Sequence, residues 1–135
     1  MPPQYMLDTN IVSYLMKGLL PTLQTRFDLV ATEAIAVSSI TEAEVFYGLA
    51  RKPGAMRLRL AADKFFASVA CLAWDSTVAR AYGLLRAEQE RKGRPLSTED
   101  LMIAAHALTH GLTLVTNDSA FSFVDGLKTE DWTVA

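Results

Sequence analysis

The chain has 135 residues, half of them apolar, and a net charge of −2 at pH 7. That is enough apolar material for one sizeable core, so a single domain over residues 1–135 is expected, and the slightly acidic balance excludes a protein that coats nucleic acid by bulk charge. No run of about 18 apolar residues occurs, and the opening MPPQYMLDTN has neither a basic nor an apolar leader region, so a soluble cytoplasmic protein with no membrane contact is expected.

Charge is unevenly spread. Residues 51–94 carry ten Lys or Arg against four acids, a net of +6, which leaves −8 for the remainder. A basic flank beside an acidic centre suits a polyanion, although solvated helix faces give the same distribution. Cys71, the only cysteine, can form no internal disulfide, and within VACLAW it reads as a small buried thiol.

In chain order, strand and helix patterns alternate. QYMLD (4–8) reads as a buried strand, NIVSYLMKG as a short helix closed by Gly18, and PTLQTRFDLVA as a second helix. AIAVSS (34–39) is a strand leading into ITEAEVFYGLAR, where Ala43, Phe46, Tyr47 and Ala50 form an i, i+3, i+4, i+7 apolar stripe. After the break KPG, a helix is expected over roughly 56–68, then a strand at VACLAW (69–74). DSTVARAYGLLRAEQERKG follows as a long helix with Val78, Tyr82 and Leu85 inward and Gly93 as its stop. Past GRPL, STEDLMIAAHALTHG is a helix with Leu101, Ala104, Ala105 and Leu108 inward and Gly111 closing it; LTLVTN (112–117) is a fourth strand and EDWTV a fifth. Such alternation implies an α/β fold, a parallel sheet of four to five strands with helices on both faces.

In an open parallel sheet the strand C-termini share one edge, where ligands bind. Asp8 and Asp118 follow the first and fourth strands, Glu44 opens the helix after the second, and Asp100 lies in the first turn of the helix before the fourth. Each also has a capping explanation. TEAE (41–44) and STED (97–100) fit the capping-box spacing, and Asp8 and Asp118 can cap the helices that follow them. Gathered at one edge, however, ionised carboxylates about 6 Å apart repel by roughly 3 kcal/mol per pair at an effective dielectric near 20. A hard divalent cation, Mg²⁺ or Mn²⁺, offsets that repulsion and keeps sites open for water and phosphate oxygens, which is the chemistry of phosphodiester hydrolysis.

Four stretches carry a family resemblance: MLDTNIVSYL, ITEAEVFYGLA, GRPLSTEDLMIAAHAL and LTLVTNDSAFSFVDGLKTEDW. Together they resemble the PIN domain, and within it the VapC-type toxins of bacterial toxin–antitoxin pairs, over nearly the whole length. The resemblance implies a three-layer α/β/α fold and a Mg²⁺- or Mn²⁺-dependent endoribonuclease. It also implies a VapB-type antitoxin partner, a homodimer and an RNA substrate of which tRNA is the family-like example. Asp8, Asp100 and Asp118 match the family's metal-holding acids. Glu44 matches the acid that ligates the metal or orients the attacking water, and the products would carry a 5′-phosphate and a 3′-hydroxyl. Asp118 is the position where related sequences can carry Asn.

Around these acids, Asn10, Thr116 and Asn117 are candidates to orient a carboxylate or a metal-held water, with local turn bonding as the alternative. Glu42 lies about 160° from Glu44 on a helix and cannot share its site, whereas Glu99 is about 100° from Asp100 and can line the rim. Arg86, Arg91, Lys92 and Arg94 are candidate phosphate contacts, or solvated helix-end charges. His106 and His110 are read as packing or surface groups, not as an acid–base pair. Two rivals remain. One is a catalytically inactive PIN-like module that only binds RNA or protein. The other is a phospho-acceptor receiver-like domain using Asp75 after the third strand, although that fold wants paired acids after the first strand and a late Lys, both missing here.

Overall fold

The computed structural model describes residues 2–94 and 96–135; Met1, and Pro95 within the GRPL connection, lie outside the described residues. In chain order the elements are β1 (Tyr5–Leu7), α1 (Thr9–Lys17), α2 (Pro21–Leu29), β2 (Ile35–Ser38), α3 (Ser39–Ala50), α4 (Met56–Ser68), β3 (Ala70–Leu72), α5 (Ser76–Arg91), α6 (Thr98–His110), β4 (Thr113–Val115) and β5 (Thr129–Glu130). A 3₁₀ turn, Ser119–Phe123, joins β4 to β5. Every paired strand is parallel, in the order β3-β2-β1-β4-β5. The fifth strand expected at EDWTV forms one residue earlier, at Thr129 and Glu130.

Alternation along the strands divides the interior in two. Leu7, Ile35, Val37 and Val115 pack with Ile11, Val12, Leu23, Val45, Leu49 and Ala62 of α1 to α4. Met6, Ala36 and Leu114 point the other way, onto Ile103, Ala104 and Ala107 of α6 and Phe121. The result is the expected three-layer α/β/α arrangement. Two helices close on left-handed glycines as their sequences suggest: Gly18 at φ 65° donates to Leu15 O, and Gly111 at φ 65° ends α6. The sheet's central strand is β1, with β2 and β3 to one side and β4 and β5 to the other. The chain therefore changes direction beside β1, which leaves a crevice at the carboxyl ends of β1 and β4.

Three expectations are corrected. The stripe Ala43, Phe46, Tyr47, Ala50 faces outward, with Phe46 42% and Tyr47 65% exposed, while Thr41, Val45 and Leu49 face the core. The helix starts directly from β2 with Ser38 as its N-cap, three residues earlier than a Thr41 cap requires, and core contact selects the i, i+4, i+8 row instead. For the same reason Thr41 and Glu44 form no capping box. Cys71 is exposed, because β3 is an edge strand. Partial desolvation of the thiol and the neighbouring Glu42 nevertheless push its pKa up to about 11, which makes it a poor nucleophile.

Trp132, 1% exposed, closes the core near the C-terminus. Its ring meets Tyr5 edge-on with centroids 5.1 Å apart, and its Nε1–H donates to Glu130 Oε1 at 2.9 Å. Trp132→Ala is expected to lower unfolding free energy by about 3–5 kcal/mol in urea titrations; a loss below about 1 kcal/mol would mean that this end of the chain is not part of the cooperative core.

Candidate active site

Asp8 follows β1 directly, and its N–H donates to Val115 O at 3.0 Å, so the ladder with β4 continues one residue past the strand. The side chain is 5% exposed. Its Oδ1 accepts the N–H of Ile11 at 2.9 Å as the cap of α1, and its Oδ2 accepts the hydroxyl of Thr116 at 2.5 Å. The Thr116 hydroxyl in turn accepts the N–H of Asp118 at 3.1 Å, and Asp118 Oδ1 accepts Ala120 N–H at 2.9 Å. One threonine thus ties the acids of two adjacent strands together. Thr116 is where the sequence reading put an orienting residue; Asn117, beside it, is exposed and outside the pocket.

The acids share a space. A pocket of about 180 Å³ is lined by Asp8, Asn10, Glu44, Glu99, Asp100 and Asp118, together with Thr9, Ser97 and Ile103. All four expected carboxylates meet there, Glu99 joins them at the rim, and Glu42 stays out. Asp100 reaches the pocket because Ser97 caps α6, accepting the N–H of Asp100 at 3.1 Å, and so fixes the first turn over the edge of the sheet. Glu44 reaches it because α3 is anchored at its start. The Ser38 hydroxyl accepts Ile40 N–H at 3.1 Å and meets Nδ1 of buried His106 at 2.8 Å, and the hydroxyls of Thr41 and Thr9 lie 3.2 Å apart, joining α3 to α1.

Nothing local in the sequence marks Thr41 or the Ser38–His106 pair as supports of the site, and for Thr9 the one signal is its place beside Asp8 in DTN. His106 is a packing residue: burial and the neighbouring His110 lower its pKa to about 4, so it stays neutral. Asp75, the receiver-type candidate, caps α5 through Val78 N–H at 3.2 Å, on an edge-strand connection outside the acidic pocket.

Electrostatics follow from this crowding. Burial raises the pKa of Asp8, hydrogen bonds from Thr116 and Ile11 oppose the rise, and Asp100 and Asp118 add to it. Burial likewise lifts Asp100, with Asp118 and Glu99 contributing, and Glu44, with Glu99 and Asp100 contributing. Among the described residues the pocket lining includes no Lys or Arg to offset them. An all-oxygen donor set under mutual repulsion fits a hard divalent cation. Among the described residues no three of these side chains stand as a ready coordination group.

The four candidate phosphate contacts lie elsewhere, and each is ion-paired, the four sharing three acids. Arg86 pairs with Glu90 at 3.2 Å, Arg91 with Glu88 at 2.6 Å, Lys92 with Glu88 and Asp125, and Arg94 with Asp125 at 3.0 Å.

A family model, the PIN domain, matches residues 5–127. The tRNA(fMet)-specific endonuclease VapC of Shigella flexneri is 37% identical over 130 residues, 96% of this chain and 98% of that protein. Among solved structures, DNA-bound VapBC from Salmonella typhimurium aligns with a TM-score of 0.89 at 35% identity, over 96% of this chain and 98% of that one. VapBC2 from Rickettsia felis, bound to a DNA fragment from its promoter, aligns with a TM-score of 0.88 at 33% identity, over 95% and 98%.

The elevated carboxyl values predict a pH dependence. A carboxyl whose pKa is raised by folding contributes stability below its unfolded value and loses that contribution as pH rises through the folded one. Asp100→Asn is therefore expected to raise Tm by a few degrees at pH 7, the gain shrinking toward pH 4. If calorimetry instead gave a lower Tm at pH 7, Asp100 would be a structural cap and not a strained site group.

Proposed function

The chain belongs to the PIN-domain family, in its VapC branch, and from that premise we propose that it is a Mg²⁺- or Mn²⁺-dependent endoribonuclease, the toxin of a VapBC-type pair. The observation that carries the reading is the convergence of Asp8, Glu44, Asp100 and Asp118 on one pocket whose lining, among the described residues, includes no basic side chain.

When bound, the divalent ion supplies charge neutralisation at a phosphoryl oxygen and a lowered pKa for its water. Asp8, Asp100 and Asp118 are the residues that would hold it, directly or through water, since among the described residues no three of them stand close enough to ligate one ion together. Thr116 keeps Asp8 Oδ2 in one orientation, while the cap bond from Ile11 holds Oδ1, and each oxygen retains a lone pair for the site. Glu44, with its pKa raised toward the working pH, is suited to orient a water and take its proton. Asn10, exposed at the pocket wall, can donate its amide to a substrate oxygen. Neither histidine is placed for acid–base work, since His106 is enclosed against Ser38 and His110 is exposed at the end of α6.

The Shigella relative's name supports a tRNA as the substrate class, and the VapBC complexes support a VapB-type antitoxin as the partner. Homodimerisation belongs to the same reading, supported by the exposed apolar row on α3.

Purified protein incubated with cellular RNA is expected to cleave it in Mg²⁺ or Mn²⁺ and not in chelator. Asp8→Asn and Asp100→Asn are expected to cost about a hundredfold or more in rate, the equivalent of about 3 kcal/mol. Thr116→Val, which leaves the carboxylates in place, is expected to cost roughly tenfold. Cleavage that persists in chelator removes the metal from the mechanism, and RNA binding without any cleavage identifies a PIN-like binding module instead.

A further inference from the structure

We infer that the groove beside the acidic pocket is a subsite for the backbone phosphates of single-stranded RNA, held by Lys17, Arg51 and Lys52; this rests on the ribonuclease reading above. The groove has a volume of about 350 Å³ and shares Thr9, Asn10 and Glu44 with the acidic pocket, so the two spaces adjoin. A polyanion approaching four carboxylates meets repulsion, and cations on the approach path are the physical means of overcoming it.

The three cations come from two elements: Lys17 ends α1, and Arg51 and Lys52 follow α3. All are exposed, and among the described residues none is within ion-pair distance of an acid. That separates them from Arg86, Arg91, Lys92 and Arg94, each of which is ion-paired, with three acids shared among the four. Arg51 is also held in place, its guanidinium 5.5 Å from the centroid of the exposed Tyr47 ring. Gly48 lines the groove from within α3, where a Cβ would meet nothing within 4 Å. Packing does not demand a glycine there, and glycine inside a helix costs stability relative to alanine. An open groove wall is what its absent side chain provides.

The test is fluorescence anisotropy with a single-stranded RNA oligonucleotide, full-length protein and chelator, so that no cleavage intervenes, repeated across a salt series. The triple variant Lys17→Ala, Arg51→Ala, Lys52→Ala is expected to bind at least about tenfold more weakly. The slope of log K against log[salt] is expected to shrink by about two, since each phosphate contact on a single strand contributes about 0.7. Arg86→Ala with Arg91→Ala is expected to stay within about twofold of the parent, and Lys17→Arg with Lys52→Arg to retain binding. An unchanged slope in the triple variant, or no binding by the parent chain, overturns the inference. So does a triple variant that keeps RNA but loses fluorescein-labelled polyglutamate, which would make the groove a seat for an acidic peptide. Cleavage is assayed separately with Mg²⁺. A parent that binds with the expected slope but never cleaves would refute the nuclease reading and leave the subsite standing, whereas a cleaving parent with an unchanged triple-variant slope would do the reverse.

Discussion

Like charge held at the carboxyl edge of a parallel sheet is the constraint on which this structure turns. Asp8 and Asp118 end adjacent strands, and the Thr116 hydroxyl, donating to one and accepting from the backbone of the other, fixes their relation. Because β1 lies between β2 and β4, the acids of the first and fourth strands meet at the point where the chain reverses its direction across the sheet. The two helices that deliver Glu44 and Asp100 complete the set. Burial and mutual repulsion leave three of these carboxyls harder to ionise than usual.

Capping and chemistry are not alternatives here. Asp8 caps α1 with one oxygen and binds Thr116 with the other, and Asp118 caps the following 3₁₀ turn while still lining the pocket. A carboxylate has about four lone-pair positions, so a cap bond immobilises it without exhausting its capacity to accept. The helix-start position also aims the group into the crevice beyond the strand ends. The support beneath is equally ordinary: the Ser38 cap, buried His106 and the Thr9–Thr41 contact set where α3 begins, and α3 sets where Glu44 stands.

The two basic regions differ in a way that charge counts hide. On α5 and the segment after it, Arg86, Arg91, Lys92 and Arg94 face acids three or four residues away or on the neighbouring Asp125, where exposed pairs contribute little beyond holding side chains in place. Lys17, Arg51 and Lys52 are gathered from separate parts of the chain onto one groove and, among the described residues, have no ion-pair partner. Only three-dimensional proximity distinguishes the sets, since in sequence the first is denser.

By itself the sequence determined the α/β alternation, the two helix-closing glycines at Gly18 and Gly111, and the four acids at element boundaries, because strand and helix periods and cap positions are local and leave their mark on residue order. Tertiary structure alone decided which face of α3 is buried. Ala43, Phe46, Tyr47 and Ala50 make as good an apolar stripe as any, yet the helix starts three residues early against β2 and turns Thr41, Val45 and Leu49 inward. It also decided the exposure of Cys71, since edge position follows from strand order and not from composition. The Thr116–Asp8 bond spans 108 residues, and the Ser38–His106 contact spans 68. Partners that far apart in the chain are chosen by sheet order and helix packing, on which local propensity has no purchase.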